Sequence, residues 1–557
     1  MPPRSNDMRP RRENRTRRSG KEKDMTTKGE NPPFRHPLPD APGRDVIADW
    51  FCLHRVAITA LCVFAAALTF FGSLLYPGLG GVLNSGDSAK FQVLGHTSIL
   101  VHGPGYPLVL MLGTVVRFLS LPVPDWWAMT FALSAIPGSI AITFAFLIVE
   151  RLTQSIAFGL AGAIWLASAS LMAVQATEAE VYALTLAFIL GTSFLLILFV
   201  QTRRLNFFLA ACAVYSLSFG NHLMMIMLVP MFLIVTLIHY RIVLRWRPVA
   251  IVLGFILLGA SQYLYLAYIA YSPDTAYSEY MPLPPATVME LIHYILGTYF
   301  SDLYGSGMQS TLTLEALLTT FRSAYPGLSL PLVIVGVLLF FAGWTRRDIA
   351  WRGLAVIYGT GLSFVPFALW YGAYDIQAFH LPVLGPFLVA SVATIGWWLR
   401  DRKLAFTVLT AAALVAGLVR AGQTAMILSE REPAFAGVRS AVEELVRQSP
   451  VENPIIAMSY GVRMATLYYE LRGEVPTTPT YRVHWRAIAL VEDQPSVGGI
   501  VVPAEGYQFV RWIEEKRPDM TCRTQELRQS EDAAWPAYSF ECHSQATSPS
   551  APGNSPG

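Results

Sequence analysis

The chain has 557 residues, of which 53% are hydrophobic and 14% are charged. Soluble globular proteins carry about 25% charged residues, so this composition argues against an ordinary soluble enzyme and against a disordered chain. The 41 Lys and Arg residues nearly balance the 38 Asp and Glu residues, and the net charge of +3 is too small for a nucleic-acid binder. The five cysteines do not form the framework of a small disulfide-rich domain. A polytopic helical membrane protein with soluble appendages remains.

Residues 1–50 form a tail without an apolar segment long enough to be a span. The run from Arg9 to Lys23 is basic, and the stretch from Pro32 to Pro42 is rich in proline. No apolar region follows the basic run directly, so the tail lacks the features of a cleavable signal peptide. We expect a disordered cytoplasmic tail whose charge sets the orientation of the chain.

Eleven apolar segments follow the tail, and most are near the roughly 20 residues that a helix needs to cross the hydrocarbon core. They cover residues 56–76, 126–149, 155–174, 181–200, 207–219, 222–239, 248–270, 329–345, 353–371, 379–399 and 404–421. Residues 51–421 are therefore predicted to form an all-α transmembrane module of eleven helices. A further apolar stretch, 106–121, is short and contains Arg117.

Basic residues orient short loops towards the cytoplasm. The basic groups of this chain lie in the N-terminal tail and at Arg151, Arg203/Arg204, Arg241/Arg245/Arg247, Arg346/Arg347/Arg352 and Arg400/Arg402/Lys403. All of them fall on the cytoplasmic side if 106–121 lies along the membrane surface instead of crossing it. We therefore predict a juxtamembrane helix at 106–121, within a long first outer loop over 77–125.

This topology places the acidic and histidine-bearing loops together on the outer face, although these residues do not enter the orientation argument. They include Asn84, Asp87, Lys90, His96, His102, Glu178, Glu180, Tyr182, Asn221, His222, Asp274, Glu279, Asp302 and Asp375.

Residues 422–545 alternate helical and strand patterns and predict a small outer α/β domain. The helices are expected at 433–449, 462–472 and 506–516, and the strands at Pro454 to Gly461, Gly498 to Pro503 and Tyr538 to Cys542. Cys522 and Cys542 both lie in this domain, where an oxidising compartment would allow them to pair. Residues 546–557 are a low-complexity, disordered tail.

The first outer loop contains the densest group of chemically active residues. NSGDSAKF (Asn84 to Phe91) follows the first span, and HGPGYP (His102 to Pro107) precedes the surface helix. A turn and a helix cap would explain both segments. The alternative is a carboxylate held at the membrane boundary as a general base, which typically supplies about 10²–10⁴ in rate.

Three further clusters lie at outer span ends. ATEAEVYAL (Ala176 to Leu184) has two acids where helix capping and function are equally good explanations. FGNHL (Phe219 to Leu223) is either turn chemistry or a functional histidine at membrane depth. Asp375 lies in YGAYDIQAFHLP, from Tyr371 to Pro382. No Walker loop, HExxH, paired CxxC or GxGxxG occurs, which argues against an ATP-driven pump, a dedicated zinc site and a dinucleotide site.

The order of these motifs resembles that of GT-C glycosyltransferases, and more narrowly the multispan protein O-mannosyltransferase-like branch. That branch typically shows D-S-G-E, H-P-P-G-Y-P, A-E-V-[YF] and G-N-[HQ], and this chain has DSAK, HGPGYP, AEVY and GNH in that order. The resemblance covers roughly residues 50–310. The run from Ser459 to Gly473 also looks like the outer-domain segment of bacterial dolichyl-phosphate-mannose-type transferases.

Two residues depart from the branch pattern. Lys90 stands where the branch usually has a second acid, and Gly103 replaces a proline. The first departure removes a candidate carboxylate and makes a paired-acid or metal role in this loop doubtful, while Lys90 itself could contact a phosphate.

The resemblance implies transfer of a mannose-like hexose from a polyprenyl-phosphate donor to a hydroxyl on a protein, lipid or glycan. Asp87 is the predicted general base of an inverting reaction, and Glu180 is the second predicted catalytic residue. The predicted substrate-binding residues are Lys90, His102, Tyr106, Glu178, Tyr182, Asn221, His222 and Asp375. Lys90, His102 and His222 are candidates to stabilise the departing phosphate. No resident cofactor is expected, and a divalent metal is left open.

Two other functions are compatible with a polytopic chain. A transporter or flippase would use the acids as proton relays, but it predicts charges near the midplane and inverted repeats, and neither is evident. A scaffold with a ligand-binding outer domain would leave the first-loop acid unused. The expected location is a bacterial inner membrane, or the endoplasmic reticulum membrane of a eukaryote, with membrane lipid and no nucleic acid as partners.

Overall fold

The structure is a computed structural model. It describes residues 46–83, 85–277, 285–303, 315, 317–320, 322, 329–345, 348–372, 376–449, 454–476, 479–483, 487, 496–502, 506–527 and 537–544. Contacts divide the chain into a short unit, Met1–Arg55, and a large unit, Val56–Gly557. The predicted domain boundary between 421 and 422 stays a prediction, because both of its sides lie within the large unit.

Seven helices in the described ranges are long and apolar enough to cross a membrane. They are His54–Ser73, Asp125–Thr153, Tyr182–Thr202, Trp246–Ala270, Ile349–Trp370, Ile376–Leu399 and Lys403–Ser429. Tyr182–Thr202 and Ile376–Leu399 are mostly buried, whereas Trp246–Ala270 and Lys403–Ser429 expose most of their side chains. Helices that are apolar on all sides suit the interior of a bundle or its lipid-facing surface.

Each of the eleven predicted spans coincides with helical structure, but the number of crossing helices stays a prediction. Four of the predicted spans correspond to shorter apolar helices: Ile156–Ala167, Leu205–Gly220, Leu223–Ile238 and Leu330–Thr345. The predicted span 155–174 is divided, because one helix ends at Ala167 and the next covers Ser170–Gln175. Residues Leu223–Leu228 form a 3₁₀ turn before the α-helix Val229–Ile238.

The predicted first outer loop contains more helix and strand than the sequence indicates. It contains the helix Ser85–Val93 and the two-residue strand β1, Ile99–Leu100. A second short strand, β2 (Ala276–Tyr277), pairs in parallel with β1, so that Ile99 lies opposite Ala276. This pairing fixes the middle of the loop to a segment that is far away in the sequence.

The predicted juxtamembrane helix is present as Pro107–Leu119. It begins with a proline, which has the φ that the first helical turn requires. Val109, Leu110 and Val116 are buried on one side, while Phe118 is 86% exposed. Such an apolar exposed side suits contact with lipid.

The C-terminal part forms a five-stranded sheet, which confirms a small α/β region. Its strands are β3 (Ile455–Met458), β4 (Thr480–Val483), β5 (Ser496–Val502), β6 (Met520–Leu527) and β7 (Ala537–Ser544), in the spatial order β4-β3-β5-β7-β6. β3 pairs in parallel with β4 and β5, whereas β7 is antiparallel to β5 and β6. Helices Val438–Gln448, Tyr460–Leu471 and Gly506–Lys516 complete this part.

Cys522 and Cys542 form a disulfide bond, which answers the question that the sequence leaves open. The two residues lie directly opposite each other on the antiparallel strands β6 and β7. The bond therefore joins neighbouring strands at the edge of the sheet.

Candidate active site

The helix Ser85–Val93 presents Asp87 in its first turn, where the helix dipole stabilises a carboxylate. The turn before this helix is held by Gln92, whose Oε1 accepts a hydrogen bond from the Gly80 backbone N–H at 2.7 Å. The Gln92 side chain also donates to the Gly78 carbonyl at 3.0 Å. These two hydrogen bonds connect the end of the helix to the turn before it, and they therefore help to fix the position of Asp87.

Three donors surround the Asp87 carboxylate. Lys90 Nζ lies 2.7 Å from Oδ1, and the Tyr460 hydroxyl lies 3.2 Å from the same oxygen. His102 Nε2 lies 3.3 Å from Oδ2. The Lys90 side chain is fully buried, whereas the Asp87 side chain is 28% exposed. The buried lysine thus depends on Asp87 for its countercharge.

Both ring nitrogens of His102 face oxygen atoms that can accept a hydrogen bond. Its Nδ1 lies 2.6 Å from the Gly103 carbonyl oxygen. Its Nε2 lies 3.3 Å from the Asp87 carboxylate. These contacts fix the orientation of the imidazole ring beside Asp87.

The surroundings of Asp87 keep it ionised. Burial on its own would raise the pKa of the Asp87 carboxyl, but the charges of Lys90 and His102 and their hydrogen bonds outweigh burial and hold that pKa well below its ordinary value. Opposite charges at this distance favour the ionised form of a carboxyl.

His222 has different partners from His102. It lies in the loop before Leu223–Ile238, and its Nδ1 accepts a hydrogen bond from the Met224 backbone N–H at 3.1 Å. Burial, together with the nearby charge of His102, lowers the pKa of His222 to about 3. The ring is therefore neutral, with the proton on Nε2, and it can offer a ligand a hydrogen-bond donor without a charge.

Asn221 fixes the loop that carries His222. Its side-chain Nδ2 donates to Thr185 Oγ1 at 2.7 Å and to the Val181 carbonyl at 3.4 Å. These contacts join the loop to the start of the helix Tyr182–Thr202. The rings of Tyr182 and His222 are 6.1 Å apart between centroids.

Tyr106 completes a group of rings around the two histidines. Its backbone has the left-handed conformation, with a φ of 48°, which costs a non-glycine residue on the order of 1–3 kcal/mol and is typical of functional sites. Its ring centroid is 5.4 Å from that of His102 and 5.7 Å from that of His222.

These residues line a cavity of about 680 Å³. Hydrogen bonds and ring contacts join one cluster of the lining residues, which we call the polar end: Asp87, His102, Tyr106, Tyr182, His222 and Tyr460. Asp302 and Tyr371 are further polar residues of the wall, and many of its other side chains are apolar: Leu223, Met224, Ile226, Met227, Leu296, Leu303, Phe300, Phe367, Trp370 and Phe379. A ligand with a polar group on an apolar chain would fit this mixed lining.

The other predicted site residues lie elsewhere. Lys90 and Asn221 contact the lining residues but are not part of the cavity wall. Glu178 and Glu180 are buried away from it. Asp375 lies outside the described residues.

Glu178 holds parts of the chain together. Its carboxylate forms an ion pair with Arg431, with 3.1 Å between Oε1 and the guanidinium, and it accepts from the Leu83 backbone N–H at 3.3 Å. Burial raises the pKa of the Glu178 carboxyl, although those partners oppose the shift. Arg431 also donates to the Leu74 carbonyl, so the pair joins the first outer loop to the end of the last membrane helix.

Glu180 is also buried, and its carboxylate accepts hydrogen bonds from two neighbours. Its Oε1 accepts from the Ser88 hydroxyl at 3.5 Å, and its Oε2 accepts from the Val181 backbone N–H at 3.4 Å. Ser88 is the residue next to Asp87, so Glu180 supports the helix that carries the site. No group of three or more His, Cys, Asp or Glu side chains in the described ranges is placed to hold a metal ion.

The roles of Tyr460 and Arg431 in these networks could not be predicted from the sequence. Tyr460 belongs to the run from Ser459 to Gly473, but no local pattern indicates contact with a residue 373 positions earlier.

The fold is similar to that of a solved structure, ArnT. The structure of ArnT from Cupriavidus metallidurans bound to undecaprenyl phosphate aligns with a TM-score of 0.52 at 11% sequence identity, covering 88% of this chain and 98% of ArnT. Its apo structure aligns with a TM-score of 0.50 at 12% identity, covering 89% and 98%. The fold is thus of the GT-C type, and the apolar helices identify an integral membrane protein.

The family comparison agrees with the motifs. Residues 87–244 match the model of the protein O-mannosyl-transferase TMEM260 N-terminal domain. Protein O-mannosyl-transferase tmem260 of Dictyostelium discoideum is 25% identical over 358 residues, which cover 59% of this chain and 41% of that protein. The chain thus matches about two fifths of this relative's length. These findings confirm the resemblance to the O-mannosyltransferase-like branch.

Proposed function

We propose that this protein is a membrane glycosyltransferase that moves a mannose-like hexose from a polyprenyl-phosphate donor to a hydroxyl acceptor on the non-cytoplasmic face. The observation that carries this proposal is the cavity whose polar end is built from Asp87, His102, His222 and Tyr460 and whose remaining wall is mostly apolar. The name of the Dictyostelium relative supports mannose as the sugar and a protein as the acceptor.

The two ends of the cavity suit the two parts of such a donor. Burying a hydrocarbon chain gains about 0.8 kcal/mol for each CH₂ group, so the prenyl chain favours the apolar wall and lipid. The headgroup would then lie near His102 and Asp87. The undecaprenyl phosphate bound in the structure of ArnT supports the same donor class.

Charge at the polar end is arranged to receive a phosphate. His102 and Lys90 supply positive charge, and the neutral His222 supplies an N–H donor. Fixed donors aimed at a departing oxyanion stabilise the transition state. His222 is therefore proposed as a neutral donor and not as the positive group that the sequence suggests.

The proposed reaction is a single displacement with inversion. The acceptor hydroxyl oxygen forms a bond to the anomeric carbon, the bond from that carbon to the phosphate oxygen breaks with both electrons leaving on the phosphate, and the hydroxyl proton moves to Asp87. Asp87 is a weak base while Lys90 and His102 neutralise it. A donor phosphate in the cavity competes with Asp87 for His102, which lines the wall, and this competition would raise the proton affinity of Asp87 when substrate is bound.

The proposal includes the topology predicted from the sequence. Eleven helices cross the membrane, the N-terminus is cytoplasmic, and Asp87 and the sheet domain are outside the cytoplasm. The membrane is the bacterial inner membrane, or that of the endoplasmic reticulum in a eukaryote. No resident cofactor is included, because Lys90 and His102 already supply positive charge at the phosphate end.

The test is transfer of radiolabelled mannose from polyprenyl-phosphate mannose to an acceptor by purified protein in detergent. We expect transfer by the wild type and at least a hundredfold lower rate for Asp87→Asn, given the usual contribution of a general base. Asp274→Asn, which removes an exposed acid from the same predicted face, should match the wild type. Binding of polyprenyl phosphate to Asp87→Asn checks that the variant is folded.

No transfer by the folded wild type with any polyprenyl-phosphate sugar would reject the proposed function. Full transfer by Asp87→Asn would keep the function and remove Asp87 from the chemical step.

A further inference from the structure

Tyr460 reaches the cavity from the C-terminal part of the chain. It is the first residue of the helix Tyr460–Leu471, which follows β3 and packs against the helix Ser85–Val93. The same helix carries Tyr468 and Tyr469, and neither of these lines the cavity. The first position of this helix is therefore the one from which a tyrosine meets the polar end.

Two glycines permit this close approach. A Cβ on Gly86 would lie 2.6 Å from Tyr460 Cδ1 and 3.2 Å from the Gly461 Cα. A Cβ on Gly461 would lie 2.8 Å from Phe435 Cζ. Real Cβ atoms are essentially never found below 3.0 Å from another heavy atom. A larger residue at Gly86 would therefore displace the tyrosine ring, and a larger residue at Gly461 would displace the Phe435 ring.

The hydroxyl of Tyr460 occupies a specific place in the Asp87 network. It donates to Oδ1 at 3.2 Å, and Lys90 donates to the same oxygen at 2.7 Å. Unlike Lys90 and His102, Tyr460 carries no charge that would draw it to a phosphate. Lys90 is fully buried and is not part of the cavity wall, so His102 is the group that can turn towards the donor headgroup. The neutral Tyr460 can then stay with the carboxylate.

We propose that Tyr460 is a positioning residue of the transferase, which the C-terminal domain supplies to keep the Asp87 carboxylate directed at the acceptor hydroxyl. This inference rests on the proposed function and extends it, because the membrane module alone then lacks one member of the site. The role concerns the chemical step and not the binding of the lipid donor.

The experiment compares Tyr460→Phe with the matched control Tyr469→Phe in the full-length protein, using the mannose-transfer assay at several donor concentrations. Loss of a hydrogen bond to a charged group should lower kcat by about tenfold. The donor KM should change by less than about twofold, because Tyr460 holds the base and not the phosphate. Tyr469→Phe should have wild-type kcat and KM.

A second variant moves the ring without removing the hydroxyl. Gly86→Ala should lower kcat in the same direction, and adding Tyr460→Phe to it should cost little more, because residues that act through one contact are not additive. If the losses in kcat of the two single variants add fully in the double variant, the two residues do not act through one contact and the shared role is contradicted.

Two results would overturn the inference: a wild-type kcat for Tyr460→Phe, or a loss that lies wholly in the donor KM or in the melting temperature. A purely structural contact between the two helices would produce the change in melting temperature. An inactive wild type would instead reject the proposed function, so the two failures are distinguishable.

Discussion

At the scale of single residues, the site holds two histidines with different partners. His102 faces an oxygen acceptor at each ring nitrogen, whereas His222 accepts a hydrogen bond from a backbone N–H and is neutral. Both residues could be predicted from the sequence, but their partners could not, because only the fold brings those partners together.

The neutrality of His222 predicts which substitution is tolerated. His222→Gln retains an uncharged N–H donor and should keep transfer activity within about tenfold of the wild type, the cost of one weakened hydrogen bond. His222→Phe fills a similar space without a donor and should lose considerably more. Initial rates at pH 7.5 measure both, and equal losses would show that the ring serves packing alone.

His222 also predicts a dependence of stability on pH. Its pKa falls from 6.5 to about 3 on folding, so the unfolded chain binds the proton more tightly between these values. The stabilising contribution is complete above pH 6.5 and is lost as the pH decreases towards 3. Melting temperatures between pH 7.5 and pH 4.5 should therefore fall more for the wild type than for His222→Gln.

At the scale of secondary-structure elements, the sequence predicts the helices and strands that have a hydrophobic pattern of their own. The helices at the apolar segments, the surface helix and three of the sheet strands agree with expectation, because each has its own hydrophobic pattern. β4 and β6 were not predicted, and β6 is largely exposed, so its side chains show no clear alternation of apolar and polar residues. The pairing of β1 with β2 involves only two residues on each strand and has no signal in the sequence.

The ion pair between Glu178 and Arg431 also has no local signal in the sequence. The sequence identifies Glu178 as an acid at a span end, but its partner is 253 positions away. Glu178 is completely buried, and the Arg431 side chain is 6% exposed. The two residues therefore hold elements together, and neither of them lines the cavity.

Breaking this pair should destabilise the protein without acting on the chemistry. Arg431→Met leaves a buried carboxylate unpaired, which typically costs about 3–5 kcal/mol. Adding Glu178→Gln should recover part of the loss. Arg439→Met, at an arginine whose side chain is 55% exposed, is the matched control and should change stability little. Thermal unfolding in detergent measures all four proteins.

At the scale of the whole molecule, the first outer loop and the sheet domain must lie on the same side of the membrane. The contact of Tyr460 with Asp87 requires this, and so does the ion pair between Arg472 and Asp125, whose atoms are 2.6 Å apart. The topology predicted from the distribution of basic loops also places the first outer loop and the C-terminal sheet on one side of the membrane. The side itself stays a prediction.

Cysteine labelling of intact cells tests the side. In a chain without Cys52, Cys62 and Cys212, an impermeant maleimide should label Glu515→Cys in the sheet domain directly. It should label Arg245→Cys only after the membrane is permeabilised. Both positions are exposed, so accessibility within the fold is matched. The opposite pattern would invert the topology and place the cavity on the cytoplasmic side.

The distance of 373 positions between Asp87 and Tyr460 has a consequence for biosynthesis. A ribosome completes the membrane helices well before it reaches the tyrosine, so a nascent chain holds an apolar cavity but an unfinished polar end. A chain that ends before the tyrosine would lack the hydroxyl that contacts Asp87, so we expect it to transfer sugar no faster than Tyr460→Phe. Full transfer activity would then require that the C-terminal part has been synthesised and has folded against the helix Ser85–Val93.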